Sequence, residues 1–175
     1  VVYRGVHRGT GRVVAVKVQH GGGFLGEVEH ARFEREVQIL ARLSHPNIVT
    51  IHDMGQGDAG AYHVMDYVDG LPLDRYAASN SLGPLETMRL MEKVAGAVSA
   101  AHVRGVLHRD LKPGNILVDR AGEPHILDFG LAKGPDFDFS LTETGQFVGS
   151  LPWASPEQIS GNSGAIDVRT DVYSC

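Results

Sequence analysis

The sequence predicts an α+β fold in two unequal parts: a small sheet with one helix up to Val68, then a mainly helical remainder from residue 69. Three observations carry that expectation. Residues 13 to 18, Val-Val-Ala-Val-Lys-Val, are a β-branched run between Gly11 and a glycine cluster, which is a strand signal. In the segment Glu27 to Leu43 the apolar residues Phe33, Val37, Leu40 and Ala41 recur at the spacing of one helical face. After Gly70 a longer stripe of the same period, Leu90, Val94, Ala97, Val98 and Ala101, marks a helix over about Leu85 to Val103.

The remaining elements follow in order. Pro46, in Ser44 to Asn47, ends the first helix; Ile48 to His52 and Tyr62 to Val68 then read as strands, with Gly55, Gly57 and Gly60 in their connection. A short helix is expected near Leu73 to Ala78, and Pro84 suits the first turn of the long one. Ile116 to Val118 and His125 to Leu127 flank Asp119-Arg120-Ala121-Gly122, a hairpin signal. Gly130 to Ala154 is long, polar and aperiodic, a length that in compact domains is usually functional or disordered.

Composition narrows the class. Hydrophobic residues are 42% and charged residues 21% of the 175, which fits a globular chain and excludes a disordered or fibrous one. The 16 basic and 21 acidic residues leave a net charge of -5, so no basic footprint recommends nucleic acid or an anionic membrane. The longest apolar neighbourhood, Met91 to Val103, is interrupted by Glu92, Lys93, Ser99 and His102, too polar for a bilayer span. The one cysteine, Cys175, cannot form an internal disulfide, which agrees with a reducing compartment.

Two nucleotide signals compete. Gly21-Gly22-Gly23-Phe24-Leu25-Gly26 satisfies G-x-G-x-x-G between a predicted strand and helix, and Asp53 follows, the outline of a dinucleotide-binding unit. With 22 glycines in 175 residues, roughly one-third of such a match arises by chance in a chain of this length. His108-Arg109-Asp110-Leu111-Lys112-Pro113-Gly114-Asn115 is far more specific: seven of its residues match a fixed string, roughly a one in 10⁹ event per position. Asp128-Phe129-Gly130 follows Asn115 by 13 residues, and Ser155-Pro156-Glu157 comes later, in the order of the kinase signature set.

On these motifs the chain resembles a protein kinase catalytic domain, of the eukaryotic-like serine/threonine type found in bacteria. Ala15-Val16-Lys17, Glu36, Ser44-His45-Pro46-Asn47-Ile48-Val49 and Asp171-Val172-Tyr173-Ser174 extend the resemblance over essentially the whole sequence. It implies a two-lobed fold, residues 1–68 forming the antiparallel-sheet lobe and 69–175 part of the helical lobe. It also implies that the start of the glycine-rich loop is absent, Val1 to Gly5 being its tail, and that the chain stops inside the helix of Asp171. A fragment cut at both ends is expected to be marginally soluble and inactive by itself, with Glu157 separated from its arginine partner.

The same resemblance assigns roles. Lys17 holds the α- and β-phosphates of ATP and Glu36 steadies it; a lysine in an apolar strand is costly to bury unpaired. Asn115 and Asp128 hold Mg²⁺, with Mn²⁺ an alternative, since such ions take few protein ligands and those are oxygens. Asp110 receives or orients the proton of a substrate hydroxyl, and Lys112 sits by the transferring phosphate, the serine/threonine pattern. Val2, Ala15 and Leu117 line the adenine slot, Met65 closes its back, and the main chain of Asp66 and Val68 forms the hinge, although plain core packing would also explain these positions.

His108 is implied to pack on Phe129 beside Gly130, with no base or metal role. Arg109 would pair phosphates on Thr142 and Thr144, switching the enzyme on. Ser150 keeps a hydroxyl where a threonine is usual, and Trp153 stands where tyrosine is common. Implied partners are proteins with Ser/Thr acceptors and a second copy for trans-autophosphorylation, in the cytoplasm, without nucleic acid or membrane contact from this segment. A pseudokinase or nucleotide-binding scaffold is the alternative, and loss of Lys17, Glu36, Asp110, Asn115 or Asp128 would have favoured it.

Overall fold

The structure is a computed structural model that describes residues 1–19, 43–57, 60–129 and 151–175. The helix expected over Glu27 to Leu43, together with Glu36, Gly130, Thr142, Thr144 and Ser150, lies outside the described residues apart from Leu43.

Four strands form the first sheet: β1 (Val2–Val6), β2 (Val13–Gln19), β3 (Ile51–Gly57) and β4 (Gly60–Asp66), all antiparallel in the order β1-β2-β4-β3. This topology overturns the dinucleotide reading, because a dinucleotide-binding βαβ unit joins two strands that are hydrogen-bonded parallel neighbours, whereas β4 lies antiparallel between β2 and β3. Asp53 is a sheet residue whose carboxylate accepts from the Met54 N–H at 2.8 Å.

The strand expected at Ile48 starts at Ile51 instead, and Gly55 and Gly57 belong to it. Gly55 faces Tyr62 across the ladder, and a Cβ there would lie 2.6 Å from the Tyr62 hydroxyl, so the tyrosine ring occupies the space a side chain would need. Ile48 and Val49 turn away from this sheet. Ile48 bridges Ile126, the Val49 N–H donates to Ile126 O at 3.0 Å, and Ile126 N–H donates to Asn47 O at 2.8 Å.

The second part begins with β5 (Gly70–Pro72), which pairs antiparallel with β6 (Ile116–Asp119), itself paired with β7 (Pro124–Ile126). The turn between β6 and β7 is held by Asp119, whose carboxylate accepts from the N–H groups of Ala121 and Glu123 and from His125. Gly70 is required by proximity: a Cβ would meet Val118 O at 2.3 Å. Gly70→Ala is expected to push β5 off β6 and cost about 1–3 kcal/mol, read as a lower denaturation midpoint. An unchanged midpoint would show that β5 contributes nothing to stability.

Helix α1 (Leu73–Ser79) leads to α2 (Pro84–His102), where the Glu86 carboxylate accepts from Gly83 N–H at 2.7 Å and Pro84 opens the first turn. The predicted stripe is the buried one. Leu90, Val94, Ala97, Val98 and Ala101 are buried, and the last four pack with Leu43, Ile48, Val106, Leu111, Ile116, Ile126 and Phe129 into the main core. Gly105, at φ 74°, ends the helix in the left-handed region and directs the chain back toward the sheet. Two short helices close the chain, α3 (Pro156–Ile159) and α4 (Val168–Ser174). No described helix is long and apolar enough to cross a membrane.

Candidate active site

The loop from Val106 to Leu111, the turn Pro113–Asn115 and the segment after β7 meet around one buried ring. His108 is 1% exposed, with its ring 4.8 Å from that of Phe129. Its Nε2–H donates to Leu127 O at 2.8 Å, and its Nδ1 accepts from Asp110 N–H at 3.2 Å. Both ring nitrogens are therefore committed to the backbone, which fits a packing residue and leaves no lone pair for a metal. Leu127 N–H donates to Asn115 O at 2.9 Å, tying the segment of Asp128 to the turn of Asn115.

Burial lowers the His108 pKa from its ordinary value, against the opposing pull of Leu127 O and of Asp171, Asp110 and Asp128. His63 is shifted the same way by burial and by Lys17, with Asp128 opposing. An unfolded chain protonates such groups below about pH 6.5 while the fold keeps them neutral. Stability is therefore complete above that pH and lost as pH falls, by up to about 1.4 kcal/mol per pH unit for His108. Denaturant titrations from pH 8 to pH 5.5 are expected to show this decline, and a flat profile would mean that the buried rings accept protons in place.

Asp110 Oδ2 accepts from Lys112 Nζ at 2.8 Å and from Asn115 Nδ2 at 3.1 Å, and the same amide donates to Asp110 O at 2.7 Å. Lys17, in β2, reaches out of the first sheet to Asp128, Nζ to Oδ2 2.8 Å. Asp128 has φ 56° and Arg109 φ 66°, both left-handed for non-glycine residues. Such a backbone costs roughly 1–2 kcal/mol per residue and collects at functional sites. The other oxygen of Asp128, Oδ1, is shielded and has no hydrogen-bond partner among the described residues. A shielded carboxylate oxygen in a segment tied by its backbone to the turn of Asn115 suits one hard cation that brings its remaining ligands with it. Among the described residues no cluster of three His, Cys, Asp or Glu forms a closed metal cage.

The sheet register places the other predicted residues. Val2 opposes Lys17, Ala15 opposes Met65, and Leu117 opposes His125 in the second sheet. Met65 is 7% exposed and lines a small cavity with His63, Leu43, Asp128 and Phe129, whereas Val2 is 59% exposed. At the end of β4 the Asp66 N–H donates to Thr50 O at 3.0 Å, and Val68 lies just beyond. The Asp66 carboxylate accepts from Arg12 and His52, each at 2.7 Å, and from Thr50 N–H. Burial raises its pKa, but His52, the Thr50 N–H and Arg12 outweigh that and hold it below the usual carboxylate range.

Glu157 has a neighbour that the resemblance did not supply. It has a partner within the chain: Thr170 Oγ1 donates to Glu157 Oε1 at 2.6 Å, lowering the carboxyl pKa. Asp171, 1% exposed, accepts from His108 N–H and His102 Nε2 at Oδ2 and from Arg109 N–H at Oδ1, at 2.7–2.8 Å. His102 and Gln158 join this network without having been singled out in the sequence. Only the motif position of Gln158, directly after Ser-Pro-Glu, could have drawn attention to it.

A lysine of a four-stranded antiparallel sheet on an aspartate after β7, together with a loop aspartate held by lysine and asparagine, fits the two-lobed kinase architecture. The sequence model of the protein kinase domain matches residues 1–175, and the chain belongs to that family. It is 40% identical over 174 residues to the probable serine/threonine-protein kinase PknB of Lactococcus lactis, covering 98% of this chain and 27% of that one. The chain thus spans about a quarter of that relative's length. The crystal structure of the Mycobacterium tuberculosis PknI kinase domain superposes with TM-score 0.75 at 32% identity, over 99% of this chain and 62% of that one. Rad53 1-466 in complex with AMP-PNP superposes with TM-score 0.74 at 27% identity, over 99% and 41%.

Proposed function

We propose that the protein carrying this chain is an ATP-dependent serine/threonine protein kinase. The observation that carries the reading is the Lys17–Asp128 ion pair at 2.8 Å, which joins the first sheet to the segment after β7, beside the Asp110–Lys112–Asn115 cluster. Bound ATP with Mg²⁺ supplies the transferable phosphoryl group and the charge neutralisation that its transfer needs. Asn115 and Asp128 are the residues that would hold the cation; the Asn115 amide nitrogen is turned to Asp110, leaving its oxygen as the ligand atom. Lys17 supplies the cation for the phosphates, with Glu36 as its second partner.

Asp110 accepts the proton of a serine or threonine hydroxyl at its carboxylate and fixes the direction of attack. Lys112 stabilises charge on the transferring group and, two positions after Asp110, fits a Ser/Thr rather than a Tyr acceptor. Val2, Ala15, Leu117 and Met65 enclose the adenine, and the main chain of Asp66 and Val68 orients it. Phosphate on Thr142 and Thr144 pairs with Arg109, and a second copy of the chain delivers it. Use of ATP as the phosphate donor supports a cytoplasmic setting for this domain. Nothing in the site favours the pseudokinase alternative. The test is Mg²⁺-dependent transfer of labelled γ-phosphate from ATP to protein serine and threonine by the intact protein, with phosphosite mapping of Thr142 and Thr144. Absence of transfer despite ATP binding would replace this reading with a nucleotide-binding scaffold.

A further inference from the structure

Gln158 satisfies two structures with the two ends of one amide. Ser155, Pro156 and Gln158 begin α3 as a capping box: Ser155 N–H donates to Gln158 Oε1 at 3.0 Å, and Gln158 N–H donates to Ser155 Oγ at 3.4 Å. Glutamate serves that cap as well as glutamine does, because only the acceptor oxygen is used. The amide nitrogen is the distinguishing atom, and it donates to Arg109 O at 2.7 Å from a side chain that is 3% exposed.

Arg109 O and Asp110 N–H belong to one peptide plane. That plane is held at both atoms, by Gln158 on the carbonyl and by His108 Nδ1 on the N–H. The preceding plane is held by Asp171 at Arg109 N–H. Arg109 lies at φ 66°, a conformation that relaxes readily toward ordinary φ unless its flanking planes are fixed. Rotation of the 109–110 plane would swing the Asp110 carboxylate, since that plane leads directly into its Cα.

On the kinase reading above, we propose that Gln158 is a positioning residue: it aims Asp110 by holding the Arg109 carbonyl. It thereby ties the start of α3, just beyond residues 130–150, to the residue that handles the substrate hydroxyl. Displacements of about 1 Å at a reacting group cost on the order of 100-fold in rate, so losing this bond is expected to lower kcat by about 10- to 100-fold.

The test uses the intact protein with Gln158→Glu and Gln158→Met, assayed with ATP and a peptide substrate from pH 6 to pH 8.5. Glutamate keeps the Ser155 contact, but as a carboxylate it cannot donate to Arg109 O; once protonated it can. The expected result is a low kcat for Gln158→Glu at pH 8 with KM values within about twofold of wild type. Its kcat relative to wild type should then recover as pH falls, while the Gln158→Met ratio stays low and flat. Equal kcat in Gln158→Glu and wild type at pH 8 overturns the proposal, as does a rise in peptide KM alone. Loss of kcat that only follows the folded fraction in thermal melts of both variants also overturns it. No transfer by the wild-type protein overturns the kinase reading instead.

Discussion

Asp110→Asn is expected to remove phosphoryl transfer from the intact protein, by about 10²- to 10⁴-fold in kcat, while ATP still binds. The substitution keeps the shape of the side chain and one acceptor oxygen. It removes the negative charge that on the proposed function draws in the hydroxyl proton, and that Lys112 Nζ contacts at 2.8 Å. The backbone contacts that place residue 110 do not depend on its carboxylate: Asn115 Nδ2 donates to Asp110 O at 2.7 Å, and Asp110 N–H donates to His108 at 3.2 Å. The loop should therefore stay in place, and the melting temperature should move by no more than a degree or two, roughly the effect of a surface change. Labelled transfer, ATP binding by calorimetry and thermal melts separate the possibilities. If kcat falls by less than about tenfold, Asp110 is not the proton acceptor, and another group must orient the hydroxyl.

The division between what the sequence discloses and what it conceals follows the range of the interactions. Helix α2 was legible because its five buried residues recur at a period that the helix alone dictates. The β6–β7 hairpin was legible because Asp119 to Gly122 contains the turn chemistry itself. Ile48 and Val49 were misread because their apolar side chains signal a strand without naming its partner, and the partner is Ile126, 78 positions away from Ile48. Gly55 argued for a loop, yet Tyr62 across the ladder makes a glycine acceptable in β3. In the candidate site the motif residues were legible from their fixed spacing. Their supports were not, because Thr170 for Glu157 and Gln158 for Arg109 are polar residues with no local peculiarity. Their significance lies in which buried atom they reach.

Asp171 should show the largest effect on stability of any residue in this network. Its carboxylate is 1% exposed and takes three donors, one from the end of α2 and two from the backbone of the loop from Val106 to Leu111. Asp171→Ala leaves His108 N–H, Arg109 N–H and the His102 ring facing a buried gap. Each stranded donor costs about 1–3 kcal/mol, and removing one member of a buried charged network typically costs about 3–5 kcal/mol in all. Since domains of this size hold only about 5–15 kcal/mol, the variant should unfold at a clearly lower denaturant midpoint. Asp171→Asn keeps the volume and one acceptor, but its amide must present N–H groups to either Arg109 or the histidines, so an intermediate loss is expected. The two positions therefore separate chemistry from architecture: Asp110→Asn should lose turnover at full stability, whereas Asp171→Asn should lose both together. A midpoint for Asp171→Ala equal to wild type would mean that water replaces the carboxylate, and that the left-handed turn at Arg109 is held by Gln158 and by its own packing.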